Sequence, residues 1–181
     1  MPGLEDLYRE IILDHYRNPR NRGELASPPA RRVEGFNPLC GDEIVVFLDI
    51  ADDTVTDVKI GGQGCSISQS SASMMSAAVK GKSVTAAKDL IRTFKSLMSI
   101  HEARLEPAAP GDAQGNGVGP ETDPGGESGT NVGPSGETEV DLKELGDLAA
   151  LQGVVKFPVR IKCATLSWNT LAQGLDEEEA T

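Results

Sequence analysis

The sequence predicts an α+β fold in which an N-terminal helix is followed by a small antiparallel three-stranded sheet and then by further helices. Two observations support this prediction. The strand-like segments are confined to one early stretch, residues 32–60, and every later ordered segment has helical character. Such a segregated order is typical of α+β domains, whereas alternating strands and helices would indicate a parallel α/β sheet.

The first element is an amphipathic helix over residues 4–16. Its apolar positions recur at helical spacing, and charged residues occupy the other faces. Pro19 ends the pattern, and a loop rich in Arg, Pro and Gly continues to about residue 30. The positions on the apolar face are Leu4, Leu7, Tyr8, Ile11, Ile12 and His15.

The sheet is predicted from two segments rich in β-branched residues, 43–51 and 54–60. The Asp52-Asp53 pair between them is typical of a hairpin corner, since Asp tolerates the backbone conformations that tight turns need. A third strand is predicted over residues 32–36.

Four helical segments are predicted after the sheet. Residues 66–82 are small and apolar, which indicates a buried helix, and residues 84–104 form a second helix with one apolar side. Residues 142–151 are also predicted to be helical. The last helix covers residues 158–174, with Pro158 suited to its first turn and Gly174 to its end.

Between these helices lies a segment of different composition, residues 106–140. It contains nine Gly and five Pro, and it has no Leu, Ile, aromatic residue, Lys or Arg. A segment with so few side chains to bury cannot offset the roughly 1–2 kcal/mol per residue that ordering costs. We therefore predict a single domain over residues 1–175, interrupted by a disordered Gly/Pro/acidic insertion at 106–140, and an acidic tail at 176–181.

The net charge of −11 is concentrated in these two acidic pieces. The insertion carries seven acids and no base, and residues 176–179 carry four more, so the rest of the chain is neutral overall. Binding to nucleic acid or to an anionic membrane surface requires clustered Lys and Arg, and neither partner is expected. No apolar run approaches the ~18 residues of a membrane span, and the first residues lack a secretory-signal pattern. A cytoplasmic protein is expected.

The chemistry-bearing candidates are the three cysteines. Cys40 lies in NPLCGDE just before a predicted strand, Cys65 in GGQGCSIS where a strand gives way to a helix, and Cys163 in VRIKCATL near the start of the last helix. An odd number of cysteines without a secretory signal argues against a disulfide framework. Loops and helix starts are where a rigid scaffold usually displays functional groups.

Three thiolates and one carboxylate would complete a tetrahedral zinc site. Asp42 lies two residues after Cys40. An iron–sulfur cluster accepts the same thiolates, and free cysteines are also common as small buried apolar residues. No CxxC pair is present, so the spacing alone does not distinguish these alternatives.

Four segments together resemble the SufU proteins, which belong to the IscU/NifU N-terminal scaffold superfamily of iron–sulfur cluster assembly. They are LYREIILDHYRNPRNRG, NPLCGD, GQGCSISQSSAS and KFPVRIKCATLSW, within a similarity that covers roughly residues 4–105 and 141–174. Lys162 occupies the position where IscU scaffolds typically have histidine, and Arg160 matches a SufU-type arginine. Both features favour the SufU branch.

The resemblance implies an IscU/SufU-like arrangement, with helices packed on one face of the sheet, and a Zn²⁺ site made of Cys40, Asp42, Cys65 and Cys163. It also implies a sulfur acceptor, rather than a small-molecule enzyme, that takes persulfide sulfur from a SufS-type cysteine desulfurase and relays it to downstream cluster assembly proteins. Cys40 is the expected acceptor and Cys163 the second candidate, while Arg160 would stabilise thiolate charge or contact the partner. The alternatives are a scaffold that binds iron or an Fe–S cluster, and a structural zinc adaptor.

Overall fold

The computed structural model of the chain describes residues 3–105 and 145–176, so the predicted insertion at 106–140 lies outside the described residues. The element order confirms the predicted α+β class. In chain order the elements are α1 (Leu4–Arg17), β1 (Arg31–Asn37), β2 (Asp42–Ala51), β3 (Thr54–Gln63), α2 (Ser66–Val79), α3 (Val84–Leu105), a 3₁₀ helix η1 (Gly146–Lys156) and α4 (Pro158–Asp176).

The three strands form an antiparallel sheet in the order β1-β2-β3. The predicted corner between β2 and β3 is confirmed, because Asp52 and Asp53 both adopt positive φ angles, 50° and 59°. β3 continues past its predicted end through Gly61–Gln63. Gly62 makes this extension possible: it has φ +104°, and a Cβ there would lie 2.1 Å from the carbonyl oxygen of Glu43 on β2.

One face of the sheet is covered by helices α2 and α4, as the resemblance implies, and the core lies between these layers. Trp168 of α4 is fully buried and stacks on Phe94 of α3 with ring centroids 4.3 Å apart. Burial of aromatic and aliphatic side chains of this size is the main favourable term in folding.

The serines of α2 serve the close packing of helices. Ser71 Oγ donates a hydrogen bond of 2.6 Å to the carbonyl oxygen of Ala164 on α4, and Trp168 Nε1 donates to Ser71 Oγ at 3.1 Å. Small hydroxyl side chains let the two helices approach and still satisfy their buried polar atoms.

His15, the last residue of the predicted apolar face of α1, is buried. Its Nδ1 lies 2.8 Å from Ser73 Oγ of α2, and its Nε2 lies 2.9 Å from Asp147 Oδ2 of η1. This side chain therefore joins α1 to the two elements on which it packs.

Two sequence predictions require correction. The described part of the segment predicted as a helix over 142–151 is a 3₁₀ helix that begins at Gly146, with φ +52°, and continues to Lys156. Gly174 does not end the last helix, which continues to Asp176. A Cβ at Gly174 would lie 2.7 Å from Leu48 Cδ1 and 3.0 Å from Val33 Cγ2, so this glycine allows α4 to approach the sheet closely.

Asp176, predicted as the first residue of the acidic tail, is thus the last residue of α4, and residues 177–181 lie outside the described residues. No helix within residues 3–105 and 145–176 combines the length and the apolar character needed to cross a membrane.

Candidate metal centre

The predicted site residues are carried by three separate parts of the fold. Cys40 lies in the β1–β2 hairpin loop, residues 38–41, and Asp42 is the first residue of β2. Cys65 is the N-cap of α2, and Cys163 lies in the second turn of α4. The β2–β3 pairing, in which Glu43 faces Gln63, brings the start of α2 beside Asp42.

Three of the four predicted ligands are close together. One ligand atom each from Cys40, Asp42 and Cys163 lies within 4.8 Å of the other two. The sulfur atoms of Cys40 and Cys163 are 3.1 Å apart, well beyond the ~2.05 Å of a disulfide bond, so both are free thiols. Ligand atoms around one tetrahedral zinc ion are separated by roughly 3.3–3.8 Å, so the described separations are on the scale that a single ion requires.

Cys65 lies outside that group of three, but its side chain contacts Asp42. Its Sγ is 3.7 Å from Asp42 Oδ2. The same sulfur accepts a hydrogen bond of 3.4 Å from the backbone N–H of Ser68, which caps the first turn of α2. The N-terminal end of a helix favours negative charge, which suits a ligand to a cation.

Asp42 is the buried carboxylate of the centre, with 1% of its surface exposed. Its Oδ1 accepts a hydrogen bond of 2.9 Å from the backbone N–H of Cys65. Gly64 makes room for this carboxylate, because a Cβ there would lie 2.5 Å from Asp42 Oδ1. The Gly-rich segment before Cys65 therefore has the role of letting the backbone approach the centre.

The donor set fits a divalent cation. Within the described part of the chain, no Lys, Arg or His side chain pairs with the Asp42 carboxylate. A buried carboxylate surrounded by thiols carries a large desolvation cost unless a positive charge compensates it. Zinc accepts three sulfur ligands and one carboxylate oxygen, which is the set that these residues offer.

The two adjacent thiols differ in their exposure. Cys163 is buried, whereas Cys40 is exposed. Burial raises the pKa of the Cys163 thiol, and the neighbouring Cys40 and Asp42 side chains raise it further. Without a bound cation Cys163 is therefore held as the neutral thiol.

The residues bordering the centre are exposed. Arg160 lies in the first turn of α4, three residues before Cys163, and its side chain makes no hydrogen bond or ion pair with any described residue. It lines a groove of about 480 Å³ between α1, the start of α2 and η1. Leu39 and Val159, beside the Cys40 and Cys163 segments, are exposed by 70% and 63%.

One residue of the centre was missed by the sequence analysis. Asn37 is the last residue of β1, and its Nδ2 donates a hydrogen bond of 3.3 Å to Cys40 Sγ. The sequence does contain an Asn-Pro pair at residues 37–38, which is typical of turn initiation. That pair predicts a turn, but it does not show that the Asn37 amide contacts the Cys40 sulfur.

Comparison with known proteins identifies related sequences along the whole chain. The family described as the NifU-like N-terminal domain matches residues 7–114. The zinc-dependent sulfurtransferase SufU of Bacillus subtilis is 40% identical over 97% of this chain and 94% of that protein. The iron–sulfur cluster assembly scaffold protein IscU of Streptococcus pyogenes is 32% identical over 95% of this chain and 84% of that protein.

A solved structure shows the same fold. It is described as an iron–sulfur cluster assembly scaffold protein for the SUF system from Fervidobacterium islandicum, with a TM-score of 0.67 and 25% sequence identity. The similarity covers 96% of this chain and 99% of that chain.

Proposed function

Because the chain belongs to the family of NifU-like N-terminal domains, we propose that it is a zinc-dependent sulfur acceptor of the SufU type that serves iron–sulfur cluster assembly. The observation that carries the proposal is the convergence of Cys40, Asp42 and Cys163 within 4.8 Å, with Cys65 beside Asp42. The relative with 40% identity is a zinc-dependent sulfurtransferase by name, and it is similar over 97% of this chain.

In this proposal Cys40, Asp42, Cys65 and Cys163 hold the zinc ion. Bound zinc would stabilise the thiols as thiolates, including the buried Cys163, whose pKa is raised in its absence. Asp42 is the hard oxygen ligand in a soft sulfur set, and it keeps the ion exchangeable. Cys65 lies farther from the group of three, and it completes the set from the N-terminus of α2.

Cys40 is the residue proposed to receive sulfur. It is the exposed thiol of the adjacent pair, and it lies in a hairpin loop. Its thiolate attacks the outer sulfur of a persulfide on the donor protein. A sulfur–sulfur bond to Cys40 forms, the sulfur–sulfur bond of the donor breaks, and the electron pair leaves on the donor thiolate. Cys40 then carries the persulfide, and no oxidant or reductant is consumed.

The proposed donor is a SufS-type cysteine desulfurase, and the product passes to downstream cluster assembly proteins. Leu39 and Val159 offer this partner an apolar contact beside the thiols. Arg160, exposed and one turn from Cys163, is placed to contact the partner or to stabilise the negative charge of the transferred sulfur. Three free cysteines suit a reducing compartment, and we place this activity in the cytoplasm.

The test is a sulfur-transfer assay with a SufS-type desulfurase, with cysteine as substrate and mass spectrometry of the acceptor. Wild type should stimulate the desulfurase and gain a persulfide on Cys40, whereas Cys40→Ser should do neither. Asn169→Asp, on the exposed surface of α4, is a control that should behave as wild type. Equal stimulation by Cys40→Ser would refute Cys40 as the acceptor, and equal stimulation by both Cys40→Ser and Cys163→Ser would favour the structural zinc adaptor.

The second candidate is a scaffold that holds iron or an Fe–S cluster, favoured by the similarity to an IscU scaffold protein. Lys162, where IscU scaffolds typically have histidine, is exposed on α4 and supplies no ligand there. Anaerobic reconstitution with iron and sulfide separates the two functions. Visible cluster absorbance that survives desalting would support the scaffold, and its loss would exclude it.

A further inference from the structure

The loop that carries Cys40 is organised by one buried side chain. Asn37 is 7% exposed, and its Oδ1 accepts a hydrogen bond of 3.1 Å from the backbone N–H of Leu39. Its backbone carbonyl accepts a hydrogen bond of 2.9 Å from Gly41, which has φ +70°. With the Nδ2 contact to Cys40 Sγ at 3.3 Å, Asn37 bonds to three of the four loop residues.

The orientation of the Asn37 amide follows from these contacts. If the amide were flipped, its NH₂ group would face the N–H of Leu39, donor against donor, and its oxygen would face the sulfur. Only the described orientation satisfies both groups. The N–H donor is therefore fixed toward the sulfur of Cys40.

The surroundings of the adjacent sulfur are different. Cys163 Sγ lies 3.7 Å from the backbone carbonyl oxygen of Val159, which is an acceptor and offers a thiolate nothing. Cys40 has an amide donor and is exposed, whereas Cys163 has an acceptor and is buried. Within this pair, Cys40 is the sulfur that the Asn37 amide N–H contacts, and this contact does not depend on a bound metal.

We propose that Asn37 is a positioning residue that aims the Cys40 sulfur into the metal centre and donates a hydrogen bond to it in both the bound and the released state. This inference rests on the proposed function. The hydrogen bond draws electron density from the sulfur, so Cys40 donates less to the metal than an unbonded thiolate would. Asn37 would thereby make Cys40 the most readily released thiolate of a loaded centre.

The experiment uses the full chain loaded with Co²⁺, whose thiolate-to-metal charge-transfer band reports the electron density on sulfur. Asn37→Asp keeps the acceptor for Leu39 and removes the donor to Cys40, whereas Asn37→Ala removes both. Asn169→Asp is the control, because it introduces the same negative charge on the exposed surface of α4, away from the centre. Cobalt affinity is measured by competition with a chelating dye, and folding is checked by thermal unfolding.

Both Asn37 variants should move the charge-transfer band to lower energy, because the sulfur keeps more electron density without the hydrogen bond. They should also lose about 10–100-fold in cobalt affinity, because the Cys40 sulfur is no longer aimed into the centre. The control should keep the wild-type band and affinity. Since Ala cannot ligate the metal, the same direction of shift in Asn37→Ala excludes a new carboxylate ligand as the cause.

Two outcomes would overturn the proposal, and they are distinguishable. If wild type binds cobalt and both Asn37 variants keep its band and affinity, Asn37 only shapes the turn, and the proposed function stands. If folded wild type binds neither cobalt nor zinc, the proposed metal centre is refuted, and the proposed role of Asn37 is refuted as well.

Discussion

Asp42 and Cys65, 23 residues apart in the chain, are joined by a hydrogen bond of 2.9 Å from the backbone N–H of Cys65 to Asp42 Oδ1. The bond ties the first residue of β2 to the N-cap of α2. It also occupies one carboxylate oxygen and leaves Oδ2 beside the sulfur of Cys65, 3.7 Å away. The backbone of Cys65 thus fixes the position of the carboxylate, and Oδ2 lies beside a thiol.

The first prediction concerns the metal content. Purified wild type should contain about one zinc per chain, because a tetrahedral site of three thiolates and one carboxylate is complete. Cys40→Ser, Asp42→Ala, Cys65→Ser and Cys163→Ser should each lose or weaken it, as measured by elemental analysis. Cys65→Ser is the most informative variant, because Cys65 lies outside the group formed by Cys40, Asp42 and Cys163. Full zinc retention in that variant would restrict the site to Cys40, Asp42 and Cys163.

The second prediction concerns Gly64, beside the buried carboxylate. Gly64→Ala places a Cβ 2.5 Å from Asp42 Oδ1 and 2.6 Å from Ser68 Oγ, so the carboxylate must move. We expect a loss of roughly 1–3 kcal/mol in the free energy of unfolding, together with weaker zinc binding. Urea unfolding and chelator competition measure the two effects.

Gly153→Ala in η1 is the matched control for Gly64→Ala, because a Cβ at Gly153 meets nothing within 4 Å. It should leave zinc binding unchanged. Equal zinc affinity in both variants would mean that the close approach at Gly64 does not position Asp42.

The third prediction concerns Trp168 in the core. Trp168→Ala removes the stack on Phe94 and the hydrogen bond to Ser71, and it leaves a large cavity. Substitutions of this kind cost about 3–5 kcal/mol of stability. Phe157→Ala, whose ring is 60% exposed, should change stability by less than about 0.5 kcal/mol. Thermal or urea unfolding gives both values, and similar losses would contradict the described packing.

The fourth prediction is a pH dependence at Asp57 of β3. The hydrogen bond from Lys80 Nζ, at 2.9 Å, lowers the pKa of this carboxyl below its usual value. A lowered pKa means that the stabilisation is present above the unfolded-state value near ~3.9 and is lost as the pH falls through the folded-state value. Asp57→Asn should therefore be less stable than wild type at pH 6.

That difference should shrink as the pH falls through the folded-state pKa of this carboxyl, below which the wild-type side chain is protonated in both states. Urea midpoints of the two proteins at pH 6 and in the acid range measure it. A difference that stays constant from pH 6 to the acid range would show that the ionised pair contributes nothing.

The sequence by itself determined the fold class, the strands and most helices, and it offered the three cysteines as candidate ligands. These features are local. Helical spacing in α1, β-branched residues in β2 and the position of Cys65 at a strand-to-helix junction can all be seen within about ten residues of chain. Asp52 and Asp53 predicted the hairpin corner for the same reason.

The tertiary structure alone decided which atoms meet. Cys40 and Cys163 are separated by 123 residues, and the packing of α4 against the sheet sets their 3.1 Å separation. That packing also explains Gly174, whose role is close approach to Leu48 rather than helix termination. The contact between Asn37 and Cys40 is local in sequence, but it depends on where the amide is held once β1 is paired and buried. Sequence patterns specify which elements form, whereas contacts between side chains depend on how those elements pack, and here that packing builds the centre.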